Sequence, residues 1–170
     1  MPHPLAARRP KPRADSRSHS QNLNHPGFQW QCTALPHFDV CFPPNTGRPT
    51  IAAASATAER ELARLLRIAG ADDYRPSIHL FLLQSFRSLK SLTGASAAGA
   101  SIPPEHAVFY VEGSITAMAH ELNHEVFTTL WGESEPWIAE GVAASLTEPN
   151  LDAKAHDLIA AGKADRKSVV

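Results

Sequence analysis

Four residues in two neighbouring stretches carry the side chains best suited to chemistry. In Ala119-His120-Glu121-Leu122-Asn123-His124 two histidines stand four apart, with a glutamate directly after the first. Glu140 follows sixteen residues beyond the second, in Pro136-Trp137-Ile138-Ala139-Glu140-Gly141. On an α-helix, positions i and i+4 lie one above the other on the same face. His120 and His124 can therefore present two imidazoles to one metal ion. Glu121 sits one residue round the helix, in reach of a water at that ion without being a ligand to it. Zinc takes nitrogen and oxygen ligands tetrahedrally, and its catalytic sites keep one position open for water. Two histidines, one carboxylate and a water make up such a site; the carboxylate must come from another segment, and Glu140 is the best candidate. With nine histidines and ten glutamates in 170 residues, composition alone produces this histidine–glutamate spacing about 0.03 times per chain.

The flanking sequence supplies elements to hold these groups. Residues 106–111 predict a strand, Gly113-Ser114 a turn and N-cap, and 115–131 the helix that bears the motif. Pro136 suits the first turn of a second helix carrying Glu140, and Gly141 would permit close helix approach. Glu133 and Glu135 fall in the loop between the two helices, a poor support for ligand geometry. Trp137 is expected to anchor the core, and Glu125 to face solvent or cap a neighbouring loop. His37 and His79 fall in strands, where satisfied, partly buried histidines are expected. His106 opens the strand that would line the cleft, and His3, His19 and His25 are expected to be solvated.

Taken together, the strand at 107–111, the segment Ala119-His120-Glu121-Leu122-Asn123-His124 and the segment Pro136-Trp137-Ile138-Ala139-Glu140-Gly141-Val142-Ala143 resemble the gluzincin metallopeptidases, in particular their peptidase MA-like domains. The resemblance covers about residues 37–163, and its specific motifs are the two helical ones. It implies an α+β, zincin-like domain with a small mixed sheet. It also implies one zinc per chain on His120, His124 and Glu140, Glu121 as catalytic base, and a peptide or protein substrate. Such proteins continue into a helical subdomain forming the other wall of the cleft. Here that subdomain is expected to be truncated, with 151–162 as its first helix. They also place a His or Tyr downstream to stabilise the oxyanion, and His156 is the only residue of that sort after Glu140. Some carry a carboxylate one turn after the third ligand, where this chain has Ala144. The same motifs also suit a second reading, a non-catalytic or truncated zincin-fold domain that binds zinc and a protein partner.

Composition frames these expectations. A chain of 170 residues with 43% hydrophobic content has room for one domain with an ordinary core. Residues 1–26 carry Arg8, Arg9, Lys11, Arg13 and Arg17 against Asp15 alone and almost no large apolar side chain, so they are expected to be a disordered basic tail. The domain is expected over 27–163 and a frayed end over 164–170. A formal net charge of -1 gives no reason to expect a nucleic-acid partner. No recognisable signal peptide or membrane span is present, so a cytoplasmic location is the default expectation. Cys32 and Cys41 are read as two small thiols in preference to a disulfide. From residue 37 strands and helices alternate: strand 37–42, helix 52–68, strand 77–83, short helix 86–92 stopped by Gly94, loop 95–104, then the cleft strand. That last strand is expected to be the sheet edge, open to pairing with an extended peptide.

Overall fold

The computed structural model describes His25 and residues 27–147. Residues 1–24 of the basic tail, the helix expected at 151–162, His156 and the end at 164–170 lie outside the described residues. Within them the order is β1 (Gln31–Ala34), β2 (Phe38–Phe42), α1 (Arg48–Ile68), β3 (Ile78–Leu83), α2 (Phe86–Thr93), β4 (Gly99–Ile102), a 3-10 turn (Pro103–Glu105), β5 (Ala107–Val111), α3 (Ile115–Trp131) and α4 (Pro136–Thr147).

The five strands form one mixed sheet in the order β1-β2-β3-β5-β4. β2, β3 and β5 run parallel, while β1 and β4 pair antiparallel at the two edges. β5 is buried along its whole length and β3 nearly so, as expected of parallel strands covered on both faces. Alternate residues feed two cores. On one face Val40, Leu80, Leu82, Val108 and Tyr110 meet Ala58, Leu62 and Leu65 of α1 and Met118, Leu122 and Val126 of α3. On the other, Phe81 and Phe109 stack at 4.5 Å between ring centroids, beside Leu89 of α2 with Phe28 and Trp30 packed against them.

The helices end where local chemistry dictates. α1 carries Pro49 in its first turn and turns Ala54, Ala58, Leu62, Leu65 and Leu66 inward at helical spacing. The Ser85 hydroxyl accepts from the Ser88 N–H at the start of α2, and Gly94, at φ +78°, closes it in the left-handed conformation. α3 has the expected bounds and begins after Ser114, although the Ser114 side chain makes no capping bond.

Several expectations are corrected. Residues 95–104 are not all loop, because Gly99–Ile102 form strand β4 against β5. β5 is consequently an interior strand, and the edge strand is β4. Cys32 and Cys41 form a disulfide. They face each other across β1 and β2, a register that the reading of 37–42 as a lone first strand did not contain. Trp137 is 74% exposed and anchors no core. α4 has only Ala143 buried among its residues, and its first turn lies outside the packed layers. Gly141 meets no neighbour where a side chain would stand, so no close helix approach depends on it.

Candidate metal centre

α3 packs against β4, β5, α1 and α4, and its two faces do different work. Met118, Leu122 and Val126 go into the core. His120, Glu121 and His124 face a cavity of about 510 Å³, which Glu140 of α4 and Gly99, Ala100 and Ser101 of β4 also line. A second hollow of about 250 Å³ shares Gly99, His120 and Glu121. Glu121 therefore lines both hollows.

The three expected ligands converge. Nε2 of His120 lies 3.1 Å from Oε2 of Glu140 and 3.1 Å from Nε2 of His124. Nε2 of His124 lies 3.3 Å from Oε1 of Glu140. The imidazoles meet edge to face, 4.8 Å apart at their centroids. This is the group of nitrogen and oxygen donors, among the described residues, able to hold a metal ion. Its two histidines are largely enclosed, whereas the Glu140 side chain is 65% exposed and closes the group from the open side. Burial holds the His124 imidazole below its ordinary pKa, with His120 adding to the effect and Glu140 opposing it. His124 is thus biased toward the neutral form that a metal requires.

Glu121 is set apart from the ligand trio. Burial pushes its carboxyl above the ordinary carboxylate range; His120 and a hydrogen bond from Ser101 pull it back, and Glu140 pushes it up again. Gly99 gives it room, for a Cβ there would stand 2.7 Å from Glu121 Cγ. Gly99 and Ser101 alternate along β4 and so share the face turned to α3. Sequence reasoning missed both. The run of small residues between Gly94 and Pro103 carries no strand-like alternation of large apolar side chains, and that uniform smallness was itself the available signal.

The neighbouring acid, Glu125, does not face solvent as expected. It is 1% exposed, with Oε1 2.7 Å from Nδ1 of His106 and accepting from the Thr129 hydroxyl at 3.1 Å. His106 therefore lines no part of the metal-centre cavity. It sits at φ +50° between the 3-10 turn and β5 and ties that corner to α3. His37 and His79 are partly buried, as expected. His37 Nδ1 lies 2.7 Å from Glu59 Oε2, but His79 Nδ1 makes no hydrogen bond and stands 3.6 Å from Asp39. Among the described residues no helix is long and apolar enough to cross a membrane. No protein-family model and no curated protein matches the chain.

Proposed function

We propose that this chain is a zinc-dependent metallopeptidase of the gluzincin type, with His120, His124 and Glu140 as metal ligands and Glu121 as general base. One observation carries the proposal. Zinc bonds of about 2.0–2.1 Å at tetrahedral angles place neighbouring ligand atoms about 3.3 Å apart. The three donor pairs here stand 3.1, 3.1 and 3.3 Å apart, so the donors fit such an ion without rearrangement.

Bound there, zinc polarises a carbonyl and acidifies water. The protein residues supply the rest. Burial favours the neutral form of His124. Glu121, steadied by Ser101, takes a proton from the attacking water and returns it to the departing amine. Its raised proton affinity suits that exchange. Among the described residues β4 is the edge of the sheet on the cleft side. Its outward backbone groups are placed to pair with an extended peptide laid along the hollows that Glu121 lines.

Elemental analysis of the purified full chain tests the site. About one zinc per chain is expected, lost or sharply reduced in Glu140→Ala. The zinc-loaded chain should cleave a mixed peptide library, and Glu121→Gln should keep the metal and lose the cleavage. A metal-loaded chain that leaves every peptide intact would favour a zinc-binding domain for a protein partner. A wild-type chain that takes up no metal would overturn the proposal.

A further inference from the structure

We infer that the metal centre, read as a peptidase site, favours peptides with a large apolar side chain on the amino-terminal side of the scissile bond, and that Trp131 and Trp137 select it. The inference rests on the metallopeptidase reading. His120, His124, Phe127 and Trp131 stand at i, i+4, i+7 and i+11 of α3, which places them on one helix face. The stripe that begins with two ligands therefore ends in an aromatic pair, Phe127 and Trp131 stacked at 4.5 Å between centroids. α4 runs back along α3, because Glu140 meets His120 and His124 while Thr147 shares a hollow with Thr116 and Ala117. Its first turn lies beside the later half of α3. Trp137, three residues before Glu140, shares that residue's side of α4.

Both indoles are open, Trp131 at 65% and Trp137 at 74% exposure. Together they offer at most a few hundred Å² of apolar surface. That is short of the roughly 800 Å² per partner of a stable protein interface, but enough to cover one or two side chains. Trp131 lies two helical turns past His124, about 10 Å along α3, and Trp137 stands about 4.5 Å before Glu140 along α4. An extended peptide spans these distances in about one to three residues. β4 fixes the direction. Gly99 stands against Glu121, whereas Pro103, just beyond β4, shares the metal-centre cavity with Thr128, so β4 runs along α3 in the same sense. A peptide paired antiparallel to β4 starts at the Pro103 end, and its residues before the scissile bond pass the indoles. Glu133 and Glu135 stand between Trp131 and Trp137, and no lysine or arginine occurs from 115 to 147. An acidic side chain would meet like charge there, whereas an apolar one covers the indoles.

The test uses the zinc-loaded full chain and two readouts. In kcat/KM, peptides with phenylalanine or leucine within about three residues before the cut should exceed those with alanine or aspartate at least about tenfold. Trp131→Ala and Trp137→Ala should each lower that ratio about threefold or more, at unchanged zinc content. The second readout needs no turnover. The hydroxamates of N-acetyl-diphenylalanine and N-acetyl-dialanine put a metal-binding head after the side chains, which fixes those on the amino-terminal side. The aromatic one should bind at least about tenfold more tightly, and the double tryptophan variant should bind both alike. That ratio in a chain that cleaves no peptide would sink the peptidase reading and leave the aromatic selection standing. Equal binding of the two hydroxamates by the wild type would overturn the inference. A preference that survives both substitutions would overturn it too, and a lowered urea midpoint in those variants would then assign the indoles to packing. A chain that takes up no zinc removes the metallopeptidase reading and the inference with it.

Discussion

Gly99 and Glu121 occupy space that only one of them can fill. A Cβ on Gly99 would stand 2.7 Å from Glu121 Cγ, 3.2 Å from Glu121 Oε1 and 3.2 Å from the Phe109 carbonyl oxygen. Glycine on the edge strand is therefore what allows the carboxylate to lie across β4. Gly99→Ala should displace Glu121 without touching His120, His124 or Glu140. A misplacement of about 1 Å in a reacting group costs on the order of a hundredfold in rate. On the proposed function, peptidase kcat/KM should fall by about that factor while zinc content stays at the wild-type level. Unchanged kinetics in a fully loaded variant would show that Glu121 does not act from this position.

The Glu125–His106 contact makes a separate prediction about stability. Glu125 is buried beside His124 on α3 and joins that helix to the corner before β5 through His106. Glu125→Ala removes the contact and the Thr129 bond together, and should cost about 1–3 kcal/mol in urea unfolding. His106→Ala leaves the carboxylate buried with one fewer partner and should be destabilising too. The double variant should lose less than the sum of the single losses, since both remove the same contact. Strict additivity would mean that the 2.7 Å pair contributes nothing.

Why some of this was legible in the sequence and some was not follows from how each feature is encoded. The motif helix was read at its observed bounds because Gly113 and Gly132 punctuate an apolar run of helical period. The convergence of His120, His124 and Glu140 was legible because positions four apart share one helix face and Pro136 opens a second helix that carries Glu140. β4 was not readable. Gly99-Ala100-Ser101-Ile102 has little strand propensity of its own, and it is a strand because it pairs with Ala107 to Tyr110 of β5. Glu125 was misjudged for a similar reason, since its partner lies nineteen residues earlier and only the fold brings them together. Trp137 shows the opposite failure. Its size suggests burial, yet the packing of α4 through Ala143 leaves it outside.

The disulfide between Cys32 and Cys41 ties the edge strand β1 to β2. β1 is exposed along its length, so its own packing holds it only weakly. The bridge spans nine positions, and closing so short a loop in the unfolded chain stabilises the fold by about 2–3 kcal/mol. Reduction, or Cys32→Ala, should lower the urea midpoint accordingly and increase amide exchange first in β1. Free-thiol titration of the denatured, unreduced chain should find neither cysteine. Two reactive thiols in that assay would show the bridge to be absent.

His79 gives the fold a pH dependence whose sign is set by burial. It lies in β3 with Nδ1 unbonded and 3.6 Å from Asp39. Burial holds its pKa below the ordinary value of 6.5, with His106 pushing the same way and Asp39 and Glu105 opposing. In the window just below 6.5 the unfolded chain therefore binds more protons at this position than the folded chain does. Stability tied to His79 is fully present above that value and is lost as pH falls toward the depressed pKa of the folded state. His79→Phe keeps a ring beside Phe81 and removes the titration. Urea midpoints measured at about pH 7.5 and about pH 5.5 should fall further in the wild type than in the variant. The other ionisable groups are common to both proteins, so the difference isolates His79. Parallel losses would show that folding leaves the proton affinity of His79 unchanged.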